Sequence, residues 1–204
     1  PEWLSRENAI PISRMLPLTA GKYQGKKVRP FFAGLLPEEG LRRQIAAVLG
    51  ISERNDFAML ERIGGECAGA LSLLPIKISP LPRRNHRRVL READLKAILA
   101  ELPQRPLLAG REGIRLSLAG AQNKLPIIME DDRIALPLEN TPSTHILKTG
   151  SDRFPGLVSN EIFCMRLART VELHVPVVTS RLLCHQNCII IDKYDLFQNP
   201  VGHF

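Results

Sequence analysis

The sequence predicts an α+β fold: an antiparallel sheet with one helix packed on a face, preceded by a smaller unit of helices and extended chain. Two observations carry this. Beyond Gly110 the chain reads as short apolar runs of strand length, broken by turn residues, with one helical stretch among them. Before Gly110 the apolar residues recur at helical spacing between Pro and Gly breaks. Strands grouped around a single helix, rather than alternating with helices, suit an antiparallel sheet. We therefore divide the chain into a small N-terminal unit over residues 1–105 and a sheet unit over residues 110–204.

Each element follows from its local pattern. Residues 16–32 mix Pro, Gly and polar side chains and read as extended chain and turns. Pro37-Glu38-Glu39 opens a helix, because Pro is tolerated in a first turn and acidic groups there offset the positive end of the helix dipole. Leu41, Ile45, Ala46 and Leu49 form its apolar stripe, and Gly50 ends it. A second helix spans 52–63, with Phe57, Leu60 and Ile63 on one face and Gly64-Gly65 as its stop. The short link between the two predicts a helical hairpin. A third helix covers 92–102, with Leu95, Ile98, Leu99 and Leu102 inward. Residues 75–88, rich in Pro and Arg, read as an exposed loop. In the second unit, 114–118, 124–129 and 133–136 read as strands, with Asp131-Asp132 as the turn between the last two. Residues 143–148 form another strand. Pro155-Gly156 precedes a helix over 157–171, and strands over 178–183 and 188–192 are joined by His185-Gln186-Asn187.

Bulk composition bounds the function without choosing it. The 204 residues are 44% hydrophobic, enough for a buried core. Lys and Arg number 28 against 21 Asp and Glu, a net charge of +7 that favours an anionic partner such as nucleotide, nucleic acid or acidic protein. Four cysteines, Cys67, Cys164, Cys184 and Cys188, are too few for a disulfide framework at this length and suit a reducing compartment, so cytoplasm is the expectation. No apolar run reaches membrane-spanning length, so no membrane partner is expected. The chain starts at Pro1 without Met and stops at Phe204 shortly after a strand-like run, and both are expected to be cut ends.

Three stretches could carry chemistry. Ser117-Leu118-Ala119-Gly120-Ala121-Gln122-Asn123-Lys124 falls between two predicted strands, where a hairpin loop is expected. The small residues Ala119, Gly120 and Ala121 allow backbone N–H groups to approach a phosphate, and Lys124 adds charge at the loop exit. An ordinary tight hairpin fits the same letters. Lys148 closes the apolar run Thr144-His145-Ile146-Leu147, an odd place for an ammonium unless it meets an anion. Glu161, on the following helix, is the carboxylate placed to steady it; a lysine snorkelling at a strand end is the plain alternative. Ile189-Ile190-Ile191-Asp192-Lys193-Tyr194-Asp195 is an apolar strand ending abruptly in charge. There the backbone of Asp192 and Tyr194 suits pairing with adenine, and Asp195 suits a ribose hydroxyl or a phosphate-bound metal. It also reads as a simple strand end. Cys184-His185-Gln186-Asn187-Cys188 lacks a second ligand pair and reads as a hairpin rather than zinc. Arg83-Arg84-Asn85-His86-Arg87-Arg88 is a basic run without interleaved aromatics.

Taken together, several stretches resemble one family, the HipA-type serine/threonine kinase toxins. They are Glu2-Trp3-Leu4, Ala9-Ile10-Pro11-Ile12-Ser13 with Leu16-Pro17-Leu18, and Val28-Arg29-Pro30-Phe31-Phe32 with Leu35-Leu36-Pro37-Glu38. Ile63-Gly64-Gly65-Glu66-Cys67-Ala68-Gly69-Ala70-Leu71 follows, then Ser117 to Lys124, Pro142 to Lys148, and Asn160-Glu161 with Phe163 to Ala168. The order is the family's and spans nearly the whole chain. The resemblance implies a small N-terminal subdomain followed by a protein-kinase-like N-lobe. It implies transfer of the γ-phosphate of ATP, with Mg2+, to serine or threonine of a protein. Ala119, Gly120, Ala121, Gln122, Asn123 and Lys124 would form the phosphate loop, and Lys148 would grip the phosphates with Glu161 in support. Asp192, Lys193 and Tyr194 would form the adenine linker, and Ser117 would be the autophosphorylated serine. A phosphate there would compete with the phosphates of ATP. The implied partners are a HipB-like DNA-binding antitoxin, DNA only through it, and glutamyl-tRNA synthetase as substrate.

Departures qualify this. Leu196 stands where the family usually has Arg, and Glu172 where Gly usually follows the helix. No Asp after residue 50 has Asn five positions on, and no Asp-Phe-Gly occurs, although a kinase needs a catalytic Asp, that Asn and a second metal-binding Asp. Catalytic and metal-ligating residues are therefore expected outside this chain. Two rivals stay open: a module that binds nucleotide or antitoxin without catalysis, and a basic nucleic-acid-binding protein.

Overall fold

The computed structural model describes residues 4–19, 21–67, 71–74, 86–114, 116, 118, 122–138, 141–150 and 154–193. Among these residues six strands form one sheet: β1 (Arg87–Val89), β2 (Lys124–Glu130), β3 (Arg133–Pro137), β4 (His145–Thr149), β5 (Val178–Leu183) and β6 (Gln186–Asp192). Their order is β1-β3-β2-β4-β6-β5, and every neighbouring pair is antiparallel. Among the described residues five α-helices accompany them: α1 (Arg29–Ala33), α2 (Glu39–Leu49), α3 (Asp56–Ile63), α4 (Glu92–Glu101) and α5 (Leu157–Thr170). The α+β class predicted from the pattern is the one observed.

Alternation along β6 explains why its apolar run is continuous. Ile189 and Ile191 face α5 and pack with its Val158, whereas Ile190 points to the opposite face. That second face is the main core. Leu125, Ile127, Leu136 and Leu147 from the sheet meet Ile45 of α2, Met59 and Ile63 of α3, and Ile98 of α4. One continuous core thus joins the helices before Gly110 to the sheet after it. The sheet curls strongly. Arg181, on edge strand β5, reaches the turn between β2 and β3 and donates to Asp132 Oδ1 at 2.5 Å and to its carbonyl at 3.3 Å.

Several expectations need correction. Pro37 lies before α2, whose N-cap is Glu38, so it sits outside the first turn. The second helix starts at Asp56 rather than Ser52, because Asn55 caps it, its Oδ1 accepting from Ala58 N at 3.0 Å. Ser52 is spent in the preceding turn, its carbonyl accepting from Asn55 N. Phe57 faces outward against the ring of Phe32, and Met59 takes the inward place. The exposed loop expected over 75–88 includes a strand at its end: β1 pairs with β3. Residues 75–85, Arg83 and Arg84 among them, lie outside the described residues. The strand expected over 114–118 shows, among its described residues, only a single parallel bridge from Leu116 to Glu66. Gln186 and Asn187 belong to β6, and Cys184-His185, both at positive φ, make the turn.

A buried carboxylate ties the first helices together. Asp56 is 3% exposed and accepts from Arg29 Nε at 2.7 Å and from Arg42. Burial pushes its carboxyl up, but the hydrogen bonds and charges of Arg29 and Arg42 outweigh that and hold it below the usual value. Its folded-state pKa is depressed, so the stability it contributes is present above pH 3.8 and lost as pH falls through the lowered folded value. Asp56→Asn should therefore flatten the acid limb of a urea-denaturation series in that window. An unchanged limb would refute the role.

Two helices close with the same hydrogen-bond pattern but different residues. At α2, Ile51 N donates to Ala46 O at 3.0 Å and Gly50 N to Ala47 O at 3.3 Å, with Gly50 at φ 65°. At α5, Leu173 N donates to Ala168 O at 2.9 Å and Glu172 N to Arg169 O at 3.1 Å, with Glu172 at φ 60°. Both are Schellman closures, which favour glycine at the left-handed position. The family's usual glycine at Glu172 thus has a backbone reason. Glu172→Gly should stabilise the chain by about 0.5–1 kcal/mol in urea denaturation.

Candidate functional site

The β2–β4 register sets Lys124 directly opposite Lys148. Cross-strand partners project from one face, and like charges so placed repel. The row continues onto β6, where Ile189 pairs with Lys148. Because Ile189 lies under α5, both lysines rise on the α5 side of the sheet. From α5, Glu161 meets Lys148 in a salt bridge, both side chains being largely buried. Burial, and next the charge of Lys148, push the Lys124 ammonium below its ordinary value, while Glu38 and Glu161 pull it up. Two largely buried lysines thus stand side by side on one face, with Glu161 bonded to Lys148 and both Glu161 and Glu38 acting on Lys124.

The loop before β2 is only partly described. Ser117, Ala119, Gly120 and Ala121 lie outside the described residues. Gln122 Nε2 donates to Thr149 O at 3.3 Å. The Asn123 side-chain oxygen is buried and accepts from none of the described residues. Among the described residues the antiparallel partners of β2 are β3 and β4, and Leu116 bridges Glu66 rather than β2.

The end of β6 is held on three sides. Asp192 Oδ1 pairs with His145 Nε2 at 3.0 Å, and Thr144 Oγ1 lies 2.7 Å from His145 Nδ1. Asp192 N donates to Val177 O and Lys193 N to Thr144 O, each at 3.0 Å. Of the two backbone groups of Asp192, the carbonyl is then the one a base could use. Tyr194 and Asp195 lie outside the described residues.

Sequence reading missed one cluster. The Lys193 ammonium turns away from the lysine row and bonds Glu66 Oε1 and, at 3.0 Å, Ser143 Oγ. Ser143 is fully buried and donates to the same Glu66 oxygen from Oγ at 2.6 Å and from its amide at 3.1 Å. Glu66 is delivered by a tight exit from α3. A Cβ on Gly64 would lie 2.4 Å from the Leu60 carbonyl oxygen and 3.1 Å from Leu73 Cβ, so only glycine fits. The signal was present in Gly64-Gly65-Glu66, a carboxylate after a double glycine stop, but nothing local says which cation it meets.

Other candidates fall away. Cys184 and His185 form the hairpin turn, and among the described residues no group of three or more His, Cys, Asp or Glu could hold a metal ion. Burial pushes the Cys188 thiol up to about 11, so it is no nucleophile. No helix among the described residues is long and apolar enough to cross a membrane.

The chain is similar to known proteins over nearly its whole length. The HipA N-terminal domain matches residues 1–74, and the HipA-like C-terminal domain matches residues 116–200. The chain is 46% identical over 205 residues to a Sinorhizobium fredii protein named "Putative kinase Y4mE", covering 98% of this chain and 49% of the relative. It is 28% identical over 190 residues to the serine/threonine-protein kinase toxin HipA of Shewanella oneidensis, covering 93% of this chain and 43% of the relative. A solved Shewanella oneidensis complex of HipA, HipB and operator DNA superposes with TM-score 0.64 at 25% identity, over 86% of this chain and 40% of that one. The chain spans about half the length of the curated relatives it matches.

The lysine row gives a direct check. In side-chain NMR titration Lys124 should titrate below an ordinary lysine, and Lys148→Met should move it upward by removing the neighbouring charge. A Lys124 titration unmoved by that change would break the coupling inferred here.

Proposed function

This chain belongs to the HipA family, and from that premise we propose that it forms the ATP-gripping half of a serine/threonine protein kinase. The observation that carries the proposal is the row Lys124–Lys148 beneath α5, with Glu161 of that helix paired to Lys148. A strand lysine paired with a helix carboxylate is the arrangement by which kinases hold phosphates. Here the fit is chemical as well: burial and the charge of Lys148 disfavour the Lys124 ammonium, and an anion beside it would favour it.

Lys148 holds the phosphates, Glu161 sets its ammonium, and Lys124 with the loop 119–123 covers the polyphosphate tail. Asp192, Lys193 and Tyr194 line the adenine, and Asp195 serves the ribose or a phosphate-bound ion. Ser117 is the site of autophosphorylation. Mg2+ would supply charge neutralisation between phosphates. Among the described residues no carboxylate cluster could hold it. The partner is a HipB-like antitoxin, as in the Shewanella complex, with DNA reached through it. The substrate is a protein serine or threonine, with glutamyl-tRNA synthetase the one the resemblance suggests. This chain by itself binds rather than transfers, since no Asp after residue 50 has Asn five positions on.

Calorimetry should find ATP binding by the chain, weakened at least tenfold by Lys148→Met, since one charge-assisted contact supports roughly that factor. Incubation with labelled ATP and magnesium should give no phosphotransfer. Transfer by the pure chain, or affinity unchanged in the variant, overturns the respective claim.

A further inference from the structure

We propose that Glu66 is a positioning residue for the base end of the nucleotide site, acting through Lys193 and Ser143 on the segment that would line adenine. This deepens the nucleotide reading and rests on it.

The argument begins with three donors on one oxygen. Glu66 Oε1 accepts from Ser143 N, Ser143 Oγ and Lys193 Nζ, and Ser143 Oγ in turn accepts from Lys193 at 3.0 Å. These residues come from the exit of α3, the approach to β4 and the segment after β6. The node is inside the protein, with the Glu66 and Lys193 side chains 15% and 12% exposed. In such surroundings an ion pair loses little to solvent, and removing one partner strands the other. Glu66 Oε2 is also buried and accepts from none of the described residues. Among the described residues the side-chain hydrogen bonds of the carboxylate all lie in this one cluster.

The geometry separates this node from the phosphate end. Lys193 N bonds Thr144 O, and Asp192 pairs with His145, so the node acts at the start of β4. Lys148 lies three residues further along that strand, about 10 Å away at strand rise. Lys193 uses its side chain to anchor itself on the Glu66 side, which leaves the neighbouring Asp192 carbonyl to face a base. A merely structural strut would alter stability, whereas one that orients the linker alters recognition of the base and spares the phosphates.

The test measures affinity of the chain for ATP and for inorganic tripolyphosphate, with melting curves confirming folded protein. Glu66→Gln, which keeps shape and removes charge, should weaken ATP about tenfold and leave tripolyphosphate within about twofold. Lys148→Met should weaken both ligands. If Glu66→Gln does not fold, Ser143→Ala carries the same expectation at about threefold. Equal loss for both ligands, or unchanged ATP affinity, overturns the inference. A parent chain that binds tripolyphosphate but not ATP also overturns it while sparing the phosphate grip. A parent chain that binds neither removes the nucleotide reading, and this inference with it.

Discussion

Strand β4 sits between β2 and β6, and its two registers decide where each charged group of the site points. Pairing with β2 sets Lys148 against Lys124; pairing with β6 sets it against Ile189 and sets His145 against Asp192. A slip of one residue would carry Lys148 to the main core and Leu147 to the α5 side. The core forbids that, because Leu147 is fully buried among Leu125, Ile127 and Ile190. Apolar packing on one face thus places cations on the other. The repulsion between the two lysines is tolerated because Glu161 is held within reach by the seating of Val158 on Ile189 and Ile191.

The helices before the sheet are more than a neighbouring layer. Their apolar stripes complete the same core, and Glu38, at the start of α2, acts electrostatically on Lys124. Glu66 then crosses to the opposite end of β4. The lysine row and the end of β6 are therefore each adjusted from outside the sheet. The contribution of Glu66 rests on a backbone device, the close approach at Gly64 that turns the chain out of α3.

Much of the site was legible in residue order. Lys148 at the end of an apolar strand and Glu161 one turn into the next helix form a pattern whose partners are close in sequence, and both meet as expected. Lys124 was legible as a charge at a loop exit, but its cross-strand partner was not. That needed the knowledge that β2 pairs with β4 as well as β3. Glu66 and Ser143 were missed because their bonds to each other and to Lys193 span long separations, and no periodicity records such a meeting. Phe57 was misplaced because a helix beginning at Asp56 rather than Ser52 turns a different face inward, one that needs Met59.

The sequence by itself determined the fold class, the length of most strands, the family and the lysine–glutamate pair. Those are properties of local pattern: alternation, helical spacing, Gly and Pro stops, and motifs in a set order. Tertiary structure alone decided which strands are neighbours, that two lysines share one row, and that a carboxylate from the N-terminal unit anchors the end of β6. The physical reason is that strand order and buried charge pairing depend on which apolar faces close against each other. That is settled only when the whole core forms.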